Sequence, residues 1–324
     1  MSVTNIAAVT SLLAFSALAQ TTVDDSQCDC FLTNGSTPTY FKSHGFWDFR
    51  SLSQYAVVNP PGLKNSIEES ANADFTTPYL DWDSEFGQFW GAQNWGTNDP
   101  DFANQNSKNN LYIERNRGYE SDTYLAMRTA RPAENFQSSA EFESREQFDH
   151  VSMRMHAMTT GTAGACTSIF TYRKQDGEVV EETDIEILTR DPGNTIRYTN
   201  QPSYNETIDD VVPGASHSIS LPDGKSWEYW HTHRLYWTPG LTTWFLDGEQ
   251  TFDMTFQVPE KPAQVILNAW SNGDDGWTGK MPVGGRAYQY VQWIELLYDV
   301  TDAGSCPRVC SVDESPVVGK AVRV

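Results

Sequence analysis

Basic residues are scarce in this chain. Lys and Arg number 22 against 43 Asp and Glu, for a net charge of −21. That balance argues against a nucleic acid partner, whose binding depends on Lys and Arg meeting phosphates, and against anionic membrane surfaces. A neutral polymer is compatible with it, and strong charge helps solubility. Long apolar runs are lacking too. The apolar stretch from about Ile6 to Ala19 is interrupted by Thr and Ser and falls short of the ~20 residues that span a bilayer. No later segment is longer, and the VVGKAVRV tail is too short and too charged for a lipid-anchor signal. Internal repeats, low-complexity blocks and Pro/Ser linkers are absent.

Cysteines number five. Cys28 and Cys30 lie near one end and Cys306 and Cys310 near the other. Their C-x-C and C-x-x-x-C spacings do not suit zinc, and no metal ligands are expected. Cross-pairing between the two ends is expected instead, which would constrain the unfolded chain through a very long loop. Cys166 is left over and reads as a buried strand thiol. The opening MSVTNIAAVTSLLAFSALAQ closes on Ala17-Leu18-Ala19, a small-x-small ending. It reads as a signal peptide over residues 1–19, although no Lys or Arg marks its start. Residues 20–324 are then one secreted domain, extracellular or in a cell wall, and expected to be a monomer. Two N-glycosylation triplets, at Asn34 and Asn205, agree with export.

Aromatic residues are plentiful: eleven Trp and fourteen Tyr among 324 residues, more than a core needs. Such residues often stack on sugar rings or line clefts. Apolar residues recur at period two in short runs, among them Tyr40–Phe49, Thr123–Ala130, His150–Met158, Thr167–Arg173, Thr232–Trp237, Thr242–Gly248, Ala263–Trp270 and Tyr290–Val300. Asp-Gly and Pro-Gly turns separate several of them. This pattern predicts an all-β sandwich or jelly roll. Residues 60–110 read as a loop-rich excursion carrying Trp82, Trp90 and Trp95.

One run stands apart. In EETDIEILTR, Glu182, Asp184 and Glu186 alternate with Thr183, Ile185 and Ile187. On a strand the three acids share one face and the isoleucines enter a core. Glu182 and Glu186 start about 13 Å apart at the backbone. Two long side chains leaning inward, with a shorter Asp between them, could approach the ~5–5.5 Å carboxyl gap of a retaining glycosidase. With Glu182 and Asp184 ionised, repulsion would raise the pKa of Glu186 and keep it a general acid.

The run ETDIE resembles the signature of glycoside hydrolase family 16. GACTSIFTYR (Gly164–Arg173), WHTHRLYWTPGLTTWFLDG (Trp230–Gly248), VILNAWSNGDDGWTG (Val265–Gly279) and VQWIELLY (Val291–Tyr298) resemble further family segments in the expected order. The resemblance implies a concanavalin-like β-jelly roll of two antiparallel sheets with a concave glycan cleft. It implies Glu182 as nucleophile, Asp184 as assisting carboxylate and Glu186 as acid/base, working by double displacement without a cofactor. A structural calcium on the convex side is allowed, though no motif names its ligands. Phe170 and Tyr172 match donor-side aromatics, Asn268 and Trp270 cleft-floor positions, and Trp277 the loop that follows. Glu143 and Arg145 resemble an acid–basic pair near the nucleophile, and His231 a strand residue near the cleft. His233 stands where the family often has an aromatic. The five-residue signature resembles mixed-linkage β-glucanases, xyloglucan transferases and fungal transferases that join glucan to chitin. Laminarin-type enzymes typically carry one more residue, which makes a bulge. The expected activity is a secreted retaining endo-β-glucanase acting on cell-wall β-1,3/1,4-glucan. A transglycosylase joining glucan to chitin or glucan acceptors is the alternative. A non-catalytic lectin on the same fold is a third reading, which the intact acid set disfavours.

Overall fold

The computed structural model describes residues 21–35, 37–116, 120–222 and 224–324. Residues 1–19, read as a signal peptide, lie outside it. Two antiparallel sheets face one another across a single apolar core. The sheet that carries the acids orders its strands Trp90–Ala92, Phe136–Ser144, Gln264–Trp270, Cys166–Arg173, Glu181–Leu188, Thr195–Asn200 and Ser216–Ser220. The opposing sheet runs Tyr40–Asp48, Arg286–Thr301, Val151–Gly161, His231–Thr238, Leu241–Leu246 and Glu249–Met254. The Thr123–Ala133 strand pairs with the first part of Arg286–Thr301 and turns into Phe136–Ser144, so one hairpin links the layers. All eight runs expected from period two are strands.

Side-chain alternation decides what each sheet buries. Ile185 and Ile187 of the acid strand, Ile169 beside it, and Val265 and Leu267 beyond meet Leu235, Trp237, Trp244, Ile294 and Leu296 of the opposing layer. Burying a side chain of this size is worth roughly 1.5–3 kcal/mol, and β-branched residues suit a pleated surface packed on one face. Trp244 also pins the layers chemically: its indole N–H donates to the carbonyl of Asp184 at 3.0 Å, and its ring stacks on Tyr198 at 5.0 Å.

The ends are knitted into the opposing sheet. Phe31 pairs with Phe41, Cys30 with Val309, Cys310 with Arg323 and Thr22 with Val322. The disulfides Cys28–Cys310 and Cys30–Cys306 join the two ends across sequence separations of 282 and 276, as expected from their positions. Residues 60–110 are more ordered than a surface excursion. They supply two five-residue helices, Ile67–Ala71 and Glu85–Phe89, the edge strand Trp90–Ala92 and a strand at Ala103–Asn106. Trp90 is a core residue, packed against Trp47, Phe86 and Phe142. Its pairing partner lies some fifty residues downstream, which local periodicity does not reveal.

Candidate active site

The acid strand pairs with Cys166–Arg173 without a shift, from Cys166 opposite Leu188 to Arg173 opposite Glu181. No bulge interrupts the acids, as the regular five-residue spacing requires. Rows of facing residues cross the sheet. The Glu186 row continues through Ser168, Asn268 and Glu141, and the Asp184 row through Phe170, Ile266 and Glu143. Tyr172 and Gln264 continue the Glu182 row. On this face a cavity of about 370 Å³ opens, and Glu182, Phe170, Tyr172, Asn268, Trp270 and Glu143 all line it. Six of the residues expected at the cleft are thereby brought together.

Three carboxyls in one line, Asp184 and Glu186 buried and Glu182 half-buried, change one another's chemistry. Burial raises all three above the ordinary carboxylate range. For Asp184 the charges of Glu182 and Glu186 add to the desolvation that raises it. Neither Asp184 oxygen receives a hydrogen bond of ordinary geometry. The groups that engage it are the Gln201 side chain and the carboxyl of Glu182, and the contact between the two acids is a bond only when one of them carries a proton. A proton on Asp184 donated to Glu182 favours the ionised form of Glu182.

Glu186 differs. Burial pushes it up, but Cys166, Trp277 and Arg197 pull it back. The Cys166 thiol donates to Glu186 Oε1 at 3.4 Å and the Trp277 indole N–H at 3.2 Å. Arg197 faces Glu186 across the strand pair, lies 4.8 Å over the Trp277 ring, and is held by Asp191 through a 2.8 Å Nε–H bond. Glu186 is raised, but where repulsion from Glu182 and Asp184 was expected as the cause, burial is what raises it, and its donors oppose that rise. Trp277 serves here by contacting the acid.

Two expected positions fall elsewhere. His231 sits on the opposing sheet, opposite Ala157, where its Nδ1 meets Asp247 Oδ2 at 2.8 Å. It is remote from the cleft face because the His231–Thr238 hairpin belongs to the other layer. Arg145 lies past the end of its strand and outside the cavity. Its Nε–H bonds the Gly87 carbonyl at 2.8 Å, and its guanidinium lies 4.2 Å from the Trp82 ring centre. Asn34 and Asn205 are both exposed. Among the described residues no three His, Cys, Asp or Glu side chains converge as metal ligands, so nothing there identifies a calcium site.

The model of the family described as "Glycosyl hydrolases family 16" matches residues 93–292. This chain belongs to glycoside hydrolase family 16. Among its relatives, a β-glucanase of Paenibacillus polymyxa is 25% identical over 198 residues, 60% of this chain and 79% of that protein. A β-glucanase of Brevibacillus brevis is 30% identical over 141 residues, 40% and 49% of the two chains. Among solved structures, a β-1,3-1,4-glucanase (lichenase) from a mouse hindgut metagenome superposes with a TM-score of 0.55 at 18% identity, over 80% of this chain and 100% of that one. An endo-β-1,3-glucanase from Pyrococcus furiosus gives 0.54 at 16%, over 84% and 99%. At such identities these likenesses speak for the fold, which is the family 16 jelly roll.

Some residues of this family 16 cleft were not foreseen. Glu141, in the Glu186 row, is buried and pushed up to about 7 by that burial, eased by hydrogen bonds that include one from Asn268. Asn268 and Asn106 each donate to it at 3.3 Å. Its period-two relation to Glu143 was the available signal. Cys166 is buried as expected, but on the cleft face. Even-numbered residues of that strand share the Phe170 face, which could have placed it there.

Proposed function

We propose that this glycoside hydrolase is a secreted, retaining endo-β-glucanase. The observation that carries this reading is the line of three carboxyls on one strand face, of which Glu186 alone is engaged by an indole N–H and a thiol while Glu182 and Asp184 engage each other. Glu182 attacks the anomeric carbon, its ionised form supported by the proton on Asp184. Glu186 protonates the departing glycosidic oxygen, then takes a proton from water to release the covalent glycosyl intermediate. Turnover requires Glu182 ionised and Glu186 protonated. Because burial raises both, the activity window lies above the ordinary carboxylate range. β-Glucan as substrate is supported by the names of the relatives and by a cavity lined with Phe170, Tyr172 and Trp270, which suits sugar rings.

The test is a product profile. Wild type is incubated with mixed-linkage glucan, laminarin, xyloglucan and chitin oligomers, with and without a labelled acceptor, and the first-formed anomer is read by NMR. Short fragments released with β configuration support the proposal. Release of the α-anomer first would overturn the retaining mechanism. Label passing into longer chains would make the enzyme a transglycosylase, and binding without new products would make it a lectin. Retention of residues 1–19 on protein recovered from the medium would overturn the signal-peptide reading.

A further inference from the structure

Resting on the glucanase reading, we infer that Trp82, seated on Arg145, forms a distal sugar-binding subsite at the far edge of the cleft sheet. It would grip a β-glucan chain several sugars away from the bond that is cut. The sheet register lays out the path. A single row of facing residues runs from Asp184 through Phe170, Ile266 and Glu143 to Gly91 on the edge strand. Four strand spacings separate the acid strand from that edge, about 19 Å, roughly the reach of three or four linked glucose units.

The edge is built to hold something flat. On the Trp90–Ala92 strand, Trp90 points into the core, so Gly91 presents the cleft face. Gly91 carries no side chain there, and a Cβ at that position would lie 3.6 Å from Arg145 Nη1. The Arg145 guanidinium thus lies over bare backbone. It is fixed by its bond to the Gly87 carbonyl, and the backbone N–H of Arg145 anchors the residue on the Phe89 carbonyl at 2.9 Å. On this fixed cation rests the Trp82 ring, 4.2 Å away. Trp82 is nevertheless 61% exposed.

An isolated exposed tryptophan on a surface is ordinary. This one is supported by a buttressed arginine, at the end of a row that begins at the acids. Trp95, from the same excursion, lines the cavity itself and is 52% exposed. Indole faces accept the C–H face of a sugar ring, and the guanidinium N–H groups not used by Gly87 can meet hydroxyls. Trp82 precedes the span matched by the family model, residues 93–292. The stacking face of this subsite is therefore supplied by a segment that the family match does not cover, while Arg145 beneath it lies within the match.

The experiment compares wild type, Trp82→Ala and Trp82→Phe on β-glucan oligosaccharides of increasing length and on the polymer, by kcat/KM. Trp82→Ala is expected to lose about tenfold, the equivalent of ~1.4 kcal/mol, on long chains while staying within about twofold on short ones. Trp82→Phe, which keeps a stacking face, should retain most of the long-chain rate. In the Glu182→Ala background, calorimetry with the longest oligosaccharide should show the matching loss of affinity on adding Trp82→Ala. Equal loss at every length, or no loss at any, overturns the subsite. If wild type cleaves no glucan of any length, the glucanase reading falls first and this inference with it. If wild type cleaves and only the length dependence is unmoved by Trp82→Ala, the subsite alone falls.

Discussion

The two sheets bury acids in opposite ways. On the cleft sheet, Glu182, Asp184 and Glu186 lie side by side with one another for company, and all three are raised. On the outer face of the opposing sheet, Glu295 is just as buried yet is held below its ordinary value. Burial alone would raise Glu295, but His44 bonds it at 3.1 Å and Arg154 Nε at 2.7 Å. The network continues from Arg154 to Asp313 at 3.1 Å and from Asp313 to Arg234 at 3.2 Å. Asp313 belongs to the C-terminal segment, which the disulfides bring back over this face. Desolvation pushes every one of these carboxyls upward, and the neighbours decide the net direction. One sheet leaves its carboxyls beside one another; the other pairs its carboxyl with cationic partners.

The contrast can be broken most sharply at the cleft. Glu182→Ala should cost at least about a thousandfold in kcat while leaving the melting temperature unchanged or higher, since it removes one of three repelling acids. Retained turnover would remove Glu182 from its assigned role. The mirror experiment is Glu295→Gln, which leaves His44 and Arg154 without their carboxylate. It should cost about 3–5 kcal/mol in denaturant unfolding with turnover per folded molecule intact; loss of turnover without loss of stability would contradict the division between sheets.

A third, gentler probe is pH. Burial pushes His44 down, but bonds to Asp25 and Glu295 outweigh it and hold His44 at about 9 against an ordinary 6.5. Its contribution to stability is complete below pH 6.5 and is lost as pH rises through about 9. The raised cleft acids add to the alkaline loss, because ionising them inside the protein becomes costly above their ordinary range. His44→Gln should flatten the alkaline limb of the stability curve, and a limb identical to wild type would exclude the histidine as its source. The smallest expected effect is at Cys166. Cys166→Val removes a donor that favours ionised Glu186, so the alkaline limb of the kcat profile should move to higher pH by less than about one unit. A profile superposable on wild type would show that the thiol only fills space.

Much of the cleft was legible in the chain because it is a property of one strand at a time. Strict alternation fixes which of Glu182, Thr183, Asp184, Ile185 and Glu186 share a face, whatever lies beyond. The same logic placed Phe170 with Tyr172 and Asn268 with Trp270. It failed where a side chain's surroundings come from another strand or another layer. His231 carries the right local pattern but belongs to the wrong sheet. Arg145 alternates correctly with Glu143, yet lies past the strand end, under Trp82. The donors that oppose the rise of Glu186 were not legible, because Cys166, Trp277 and Arg197 approach it from a neighbouring strand, a distant loop and the next strand across.

By itself, the sequence determined the β architecture, the alignment of three acids on one face, and the pairing of cysteines near the two ends, since period-two alternation and chain position are local quantities. Only the tertiary structure decided which neighbours push or pull each carboxyl, which layer each histidine faces, and that residues 60–110 extend the cleft instead of merely decorating the surface. Those depend on desolvation and on neighbours drawn from far along the chain, and neither exists until the two sheets close on one another.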